Sequence, residues 1–494
     1  MGILGNWITN KTAKPFYARR IIKICKPVLH AEAKVCGLGQ FHFYINGCKI
    51  EDHELDPGWT DYHKLIEYVT FNITSYLKEG ENVIGAEVGN GWFYKMDEHY
   101  TFKFPEFMPP NPNPYKPFGE ELVLAVELMI TYVDGTVEVI HADEDFLVKE
   151  HPVVMSNVYG SETIDGRKNQ DGWCTAEFNT TSWENASIVT KEKEPTGRMI
   201  DQIQPPVKVL HSYQGEYLNN VQSKDIYDFT QNMSGILEFE VKGKEGDEIH
   251  LYPAEKLAKN GDIDQMAKGW VDLDSCITYI IGQDEVWETC RMKFTYFAGR
   301  YVAIEKPENC EVRNLTAHAI SSAYETDGTF TCDDKRYEQI YSLVEKAVEA
   351  NMVSVHTDCP TIERFAWQEP NHLMAPSIMY MKNGRKLWEK FLLDMRTAQH
   401  TAEDYFHDFE GNKVYPGEGL MPSQCLCYIP NVLPVPGMGS FYDIIGWGST
   451  CILGTYWHYM FYGDKKIIED NYDAGMRYLE HLKTKVTEEG FINH

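Results

Sequence analysis

Residues 358–371 read Asp358-Cys-Pro-Thr-Ile-Glu-Arg-Phe-Ala-Trp-Gln-Glu-Pro-Asn371. Three carboxylates, an arginine and a tryptophan fall within fourteen residues, just after an amphipathic stretch. Cleavage of a glycosidic bond by water needs such a set: carboxylates to move protons, an aromatic face to seat a sugar, and a cation to hold an acid in place. Pro360 disfavours helix at the preceding residue, so Asp358 to Gln368 is expected to be a loop past the first helix. Glu363 follows Asp358 by five residues and adjoins Arg364. A carboxyl that protonates a leaving oxygen near neutral pH needs burial or a like-charged neighbour, and Asp358 or Glu369 can be that neighbour. By residue type alone, Asp358 and Glu363 also fit solvated or helix-capping carboxylates, with Arg364 in a surface ion pair.

The flanking pattern is helical downstream and β upstream. Asp333 or Asp334 can cap a helix whose apolar positions Ile340, Leu343, Val344, Ala347 and Val348 keep helical spacing. Further helices are expected at 372–381, 384–402, 446–462 and 465–485, with a long Gly/Pro-rich loop over 408–440 that reads as functional or disordered. Residues 330–494 thus look like a helical toroid stopped part-way, and loops at one end of a toroid can form a pocket. Residues 195–325 read as a second β-sandwich. Ile236 to Val241 alternates, Gly243 to Asp247 turns and Glu248 to Leu251 returns, which predicts a hairpin; Lys293 to Ile304 reads as a strand pair around Gly299. Residues 1–190 carry short alternating runs, Ala31 to Val35, Phe41 to Ile45, Val83 to Val88 and Leu122 to Val133. Turn signals such as Asn46-Gly47, Pro57-Gly58 and Asp134-Gly135 separate them, as in a sandwich. Pro105 to Pro117 reads as a surface loop.

A chain of 494 residues is too long for one core, and roughly three domains are expected. Aromatic content of 13%, with 30 Tyr and 11 Trp, suits sugar binding and well-filled sandwiches alike. A formal charge of -28 disfavours nucleic acid and anionic membranes as partners. Twelve cysteines without a CxxC pair read as reduced, mostly buried thiols. Met1 to Trp7 lacks the signature of a signal peptide, and no run of about 18 apolar residues predicts a transmembrane helix, so cytoplasmic residence is expected. There is no P-loop, HExxH, GxSxG or strand-borne GxGxxG, and no histidine pair at zinc spacing. Phosphoryl transfer, zinc hydrolysis and dinucleotide chemistry lose ground.

The 358–367 spacing resembles the signature of the bacterial α-L-rhamnosidases, Asp-Cys-Pro-x-x-Glu-Arg-x-Gly-Trp-Thr-Gly-Asp. Asp358, Cys359, Pro360, Glu363, Arg364 and Trp367 match it without a gap. Leu55-Asp-Pro-Gly-Trp-Thr-Asp-Tyr62 and Gly89-Asn-Gly-Trp92 resemble the family's N-terminal β-domain. Tyr227-Asp-Phe-Thr-Gln-Asn-Met-Ser-Gly235 and Phe297-Ala-Gly-Arg-Tyr301 resemble its second β-domain. Gly446-Trp-Gly448 and Tyr462-Gly-Asp464 resemble its helical domain. The resemblance implies two β-sandwich domains followed by the N-terminal part of an (α/α)6 toroid, a six-hairpin glycosidase fold.

It also implies inverting removal of terminal α-L-rhamnose from a glycoside or oligosaccharide, with Glu363 as general acid. Asp358, Arg364 and Trp447 then match positions that hold the sugar or the acid, and Trp367 a pocket wall. A Trp opening an apolar helix, as Trp447 does, is equally at home in a core. Pro370 stands where the family has an acid, for which neighbouring Glu369 can substitute, and Ser449 replaces an acid after Gly-Trp-Gly. By the same resemblance the general base lies beyond His494. The chain is therefore expected to be truncated, with apolar faces exposed that favour association into a homo-oligomer. Some members bind rhamnose and calcium in a related β-domain. Asp56, Trp59, Asp61 and Asn90 lack calcium-loop spacing, though, and read as turn-structuring residues; no cofactor is expected, with calcium as the alternative. The alternatives are a non-catalytic carbohydrate-binding protein and a related toroid glycosidase with another sugar specificity.

Overall fold

The computed structural model describes residues 4–12, 14–94, 118–158, 160–265, 275–361, 363–408, 410–427 and 441–492. The expected loop Pro105 to Pro117 lies outside the described residues, as do 409 and 428–440 of the long loop.

Alternation in the first 190 residues builds two facing sheets. One runs Ser187–Ile188, Ile8–Thr9, Val123–Tyr132, Val28–Leu38, Leu65–Asn72 and Arg198–Asp201, with Val137–His141 on Val123–Tyr132. The other runs Glu184–Asn185, Leu147–Glu150, Phe16–Ile24, Gly80–Gly89, Gln40–Ile45 and Cys48–Lys49. Their inward residues, among them Phe16, Phe41, Phe43, Phe71, Leu124 and Ile130, share one buried cluster. Asn46 and Gly47 both take positive φ, 51° and 82°, the geometry of a primed turn, and reverse Gln40–Ile45 into Cys48–Lys49.

The second β region departs from the sequence reading in its pairing. Its strands join one 11-stranded hydrogen-bonded network around a second core that includes Phe229, Ile236, Leu251, Phe297 and Ile304. The expected hairpin does not form. Ile236 to Val241 belongs to the long strand Lys224–Lys242 and pairs with Glu311–Ser321 and Glu288–Arg291. Glu248–Ala254 pairs with Phe297–Glu305 and Ile277–Ile280. Alternation sets which face is buried and says nothing of which strand lies alongside. Nor is Lys293 to Ile304 a pair of strands about Gly299: Phe297–Glu305 is one strand, and Gly299 lies inside it. A Cβ at Gly299 would stand 2.7 Å from the Ala254 carbonyl oxygen, so the glycine permits a close approach and makes no turn. The network also draws His53–Glu54, Val153–Asn157 and Ser161–Asp165 out of the first 190 residues, the last pairing in parallel with Ile277–Ile280. Hydrogen bonding thus crosses the expected boundary near 190.

Seven helices follow among the described residues: α1 Lys335–Asn351, α2 Pro370–Leu373, α3 Ala375–Met381, α4 Arg385–Ala398, α5 Ile445–Gly448, α6 Thr450–Tyr462 and α7 Lys465–Lys483. Asp334 caps α1 and Asp464 caps α7, each accepting a backbone N–H two residues on. α6 packs against α2, α3, α4 and α7, while Leu453, Tyr456 and Met460 on its remaining face stay exposed. On α1 the apolar stripe is only half used. Val348 is buried, while Ile340 and Leu343 stay exposed, Leu343 at 72%. Leu373, Tyr380 and Tyr472 are exposed as well. No helix among the described residues is long and apolar enough to cross a membrane. All twelve cysteines are free thiols, six of them buried.

Candidate active site

A two-residue ladder, Met352–Val353 against Val355–His356, connects α1 to the Asp358 loop. Its turn residue Ser354 has φ 68° and accepts the Trp59 backbone N–H at 2.7 Å, tying the ladder to the first β-domain. Lys390 of α4 donates to the Trp59 carbonyl at 3.0 Å from the other side. The loop therefore starts from a point where β-domain and helices are already joined.

The loop closes on itself. The Asp358 N–H donates to the Phe365 carbonyl at 3.1 Å, and the Phe365 N–H returns to Asp358 Oδ1 at 3.2 Å. Across the ring, Arg364 Nε donates to the Pro360 carbonyl at 2.7 Å, and the Glu363 N–H points at Cys359 Sγ, 3.3 Å away. Arg364 takes φ 53°, a left-handed conformation that costs a non-glycine residue about 1 kcal/mol or more. Charge-assisted hydrogen bonds offset that strain: Nη1 donates to the Val158 carbonyl at 2.7 Å and the Tyr296 carbonyl at 2.8 Å. Arg364 is 1% exposed, which rules out the surface ion pair. Arg364, implied by the resemblance to hold the sugar or the acid, anchors the loop to both β-domains.

Glu363 and Trp367 meet within this loop. The Trp367 indole N–H donates to Glu363 Oε2 at 2.8 Å. Both side chains are half-buried. Asp358 shares the region: burial first, then the Glu363 charge, pushes its carboxyl up to about 6, against the opposing hydrogen bonds from Cys359 and Phe365. Trp447, in α5 and far along the chain, packs edge-on to Trp367 with ring centroids 4.7 Å apart. Phe441 lies 6.4 Å from the same ring. Trp447 is half-buried, so it is neither a core tryptophan nor a free surface one. Two half-buried indoles near two carboxyls suit the apolar face and hydroxyls of a sugar.

The remainder of the segment is scaffold. Gln368 is buried; its side chain donates to the Ala366 and Cys425 carbonyls and accepts from Asn371, while its backbone N–H reaches Ser423. Residues 420–426 of the long loop thus pack beneath the site, with Met421 and Ser423 fully buried. Glu369 precedes α2, where its charge acts on His372. Pro370 opens α2 at the first helical position, where a missing N–H loses nothing. Ser449 Oγ donates to the Ile445 carbonyl at 2.7 Å. Asp56 and Asp61 have local partners, His53 and the His63 N–H, whereas Asn90 donates to the distant Ser156 carbonyl. Sequence reasoning missed Phe441 and Tyr296, which lie far from the motif and carry no local signal; Gln368 lies inside it, and its amide between an alanine and a proline-led helix was the available hint.

Comparison with known proteins gives three matches in chain order. Residues 26–211 match the α-L-rhamnosidase N-terminal domain, 219–321 the bacterial α-L-rhamnosidase concanavalin-like domain, and 325–492 the bacterial α-L-rhamnosidase six-hairpin glycosidase domain. An α-L-rhamnosidase of Formosa agariphila is 28% identical over 469 residues, covering 92% of this chain and 46% of that protein. One of Streptomyces avermitilis is 26% identical over 462 residues, covering 92% and 41%. The chain thus spans less than half the length of these relatives. Among solved structures, the α-L-rhamnosidase from Dictyoglumus thermophilum superposes with a TM-score of 0.82 at 24% identity, covering 98% of this chain and 52% of that one. The Streptomyces avermitilis α-L-rhamnosidase complexed with L-rhamnose gives 0.80 at 24% identity, with 96% and 42% covered. The shared fold is β-sandwich domains followed by a helical six-hairpin glycosidase domain.

Proposed function

The chain belongs to the bacterial α-L-rhamnosidase family, and on that footing we propose that it acts in removing terminal α-L-rhamnose from glycosides or oligosaccharides with inversion. Glu363 is the general acid: it gives its proton to the glycosidic oxygen as the bond to the anomeric carbon breaks, while water adds to the opposite face. The observation that carries this reading is the meeting of Glu363, Trp367 and Trp447 beside Asp358. Trp447 supplies a face for the sugar ring. The second carboxylate, which takes the proton of the attacking water about 6.5–9.5 Å from the acid, is assigned to no described residue. On an aryl α-L-rhamnoside with a poor leaving group, Glu363→Gln is expected to lower kcat by roughly 10²–10⁴-fold. Turnover close to that of the parent chain would overturn the assignment.

A second reading, sugar binding without turnover, draws on Pro370 and Ser449. Pro370 opens α2 and Ser449 bonds back to the Ile445 carbonyl of α5, and neither side chain is a carboxylate. Calorimetry with L-rhamnose alongside a turnover assay separates the two: heat of binding without product would favour this reading.

A further inference from the structure

We infer that Trp367 is a positioning residue for the reaction, its indole N–H selecting Oε1 of Glu363 as the oxygen that carries the transferable proton. The inference rests on Glu363 being the acid and deepens that reading. An indole N–H donates and cannot accept, so the oxygen it faces must offer a lone pair. At 2.8 Å that oxygen is Oε2. A proton on Oε2 would leave the N–H a hydroxyl oxygen, a weaker acceptor, whereas a proton on Oε1 leaves Oε2 as the accepting carbonyl oxygen. The acid is then presented in one orientation, and a consistent donor geometry is what proton transfer to a leaving oxygen requires.

The indole is itself held. Trp447, Phe441 and Phe365 surround its ring, at centroid distances of 4.7, 6.4 and 6.4 Å. The backbone on either side is pinned, with the Cys425 N–H on the Ala366 carbonyl at 3.0 Å and the Gln368 N–H on Ser423 at 2.9 Å. Among the described residues, Asp358 and Cys359 of the same loop are titratable groups near Glu363, and the Arg364 guanidinium donates to the Val158 and Tyr296 carbonyls. A tryptophan serving only as a sugar wall would contribute ring area alone. Phenylalanine keeps most of that area and removes the N–H, so Trp367→Phe separates the roles.

The test has two readouts. In chain labelled with 5-fluorotryptophan, the ¹⁹F resonance missing from Trp367→Phe identifies Trp367. Its pH-dependent shift is expected to vanish in Glu363→Gln and to persist in Asp358→Asn. A resonance indifferent to pH, or one that titrates unchanged in Glu363→Gln, overturns the inference whatever the turnover. In kinetics on a poor-leaving-group aryl rhamnoside, Trp367→Phe is expected to lower kcat about tenfold with KM within about twofold. On a dinitrophenyl rhamnoside, whose leaving group needs no proton, kcat should match the parent. A raised KM with unchanged kcat would make Trp367 a sugar wall only. Full activity of Glu363→Gln on the poor leaving group would sink the reading of Glu363 itself. An inactive Glu363→Gln beside a fully active Trp367→Phe would sink the present inference alone.

Discussion

The guanidinium of Arg364 sits over the ring of Tyr296, 4.0 Å from its centroid, while Nη1 donates to the Tyr296 backbone carbonyl at 2.8 Å. One side chain thereby holds the loop of the helical domain to the second β-domain, and through Val158 to the strands next to it. The backbone at Arg364 is left-handed, with φ 53°, where its side chain reaches those carbonyls.

Arg364→Lys is accordingly not conservative. A lysine has one nitrogen where the planar fork places several, and it stacks less well on tyrosine. Carbonyls that lose their donor in a buried place should reduce stability by roughly 2–4 kcal/mol. Urea unfolding measures this, and an unchanged midpoint would show that the anchor is dispensable.

Asp358 should make stability fall with rising pH. Its carboxyl, near 3.8 in a free chain, is held at about 6 in the fold, mainly by burial and then by the Glu363 charge. Folding therefore favours the protonated form, and the stabilisation present in acid is lost as pH rises through about 6. Between these values the parent chain should lose, relative to Asp358→Asn, on the order of 3 kcal/mol. Parallel unfolding curves across the range would contradict the burial of this group.

Lys390 and Asp394 form an ion pair at 2.6 Å within α4, 0% and 2% exposed, against the Trp59 carbonyl. Burial pushes Asp394 up to about 7, opposed by Lys390 and reinforced by Glu67 and Asp61. Lys390→Met leaves a buried carboxylate without its cation and should cost about 3–5 kcal/mol. Adding Asp394→Leu should recover part of the loss, because Asp394 is then no longer an unmatched buried charge, while Glu67 still loses the Lys390 charge that favours its ionised form. A double variant no better than the single one would argue against that account.

Gly299→Ala probes the close approach of two strands. The added methyl would meet the Ala254 carbonyl oxygen at 2.7 Å, and backbone gives way less easily than a side-chain tip. A loss of about 1–3 kcal/mol is expected from such overpacking, read as a lowered Tm. Had Gly299 been a turn residue, the loss would come from φ strain; its absence among the positive-φ glycines excludes that.

Local pattern made the β-then-α order legible, along with the strands around Phe41, Val83 and Leu124 and the capping of α1 by Asp334. Burial alternation and capping are short-range, so a single sequence displays them. The neighbours of Lys224–Lys242 were not legible, because strand partners are chosen by contacts distant in sequence.

The motif from Asp358 to Trp367 by itself determined the chemistry on offer: an acid, a neighbouring carboxyl, an arginine and an indole at fixed spacing. What each does was decided by tertiary structure. Only the fold buries Arg364 against Tyr296 and Val158, brings Trp447 to Trp367, and aims the indole N–H at Glu363. Residue type sets which bonds a group can make; burial and direction, which arise when distant segments pack, set which of them it does make.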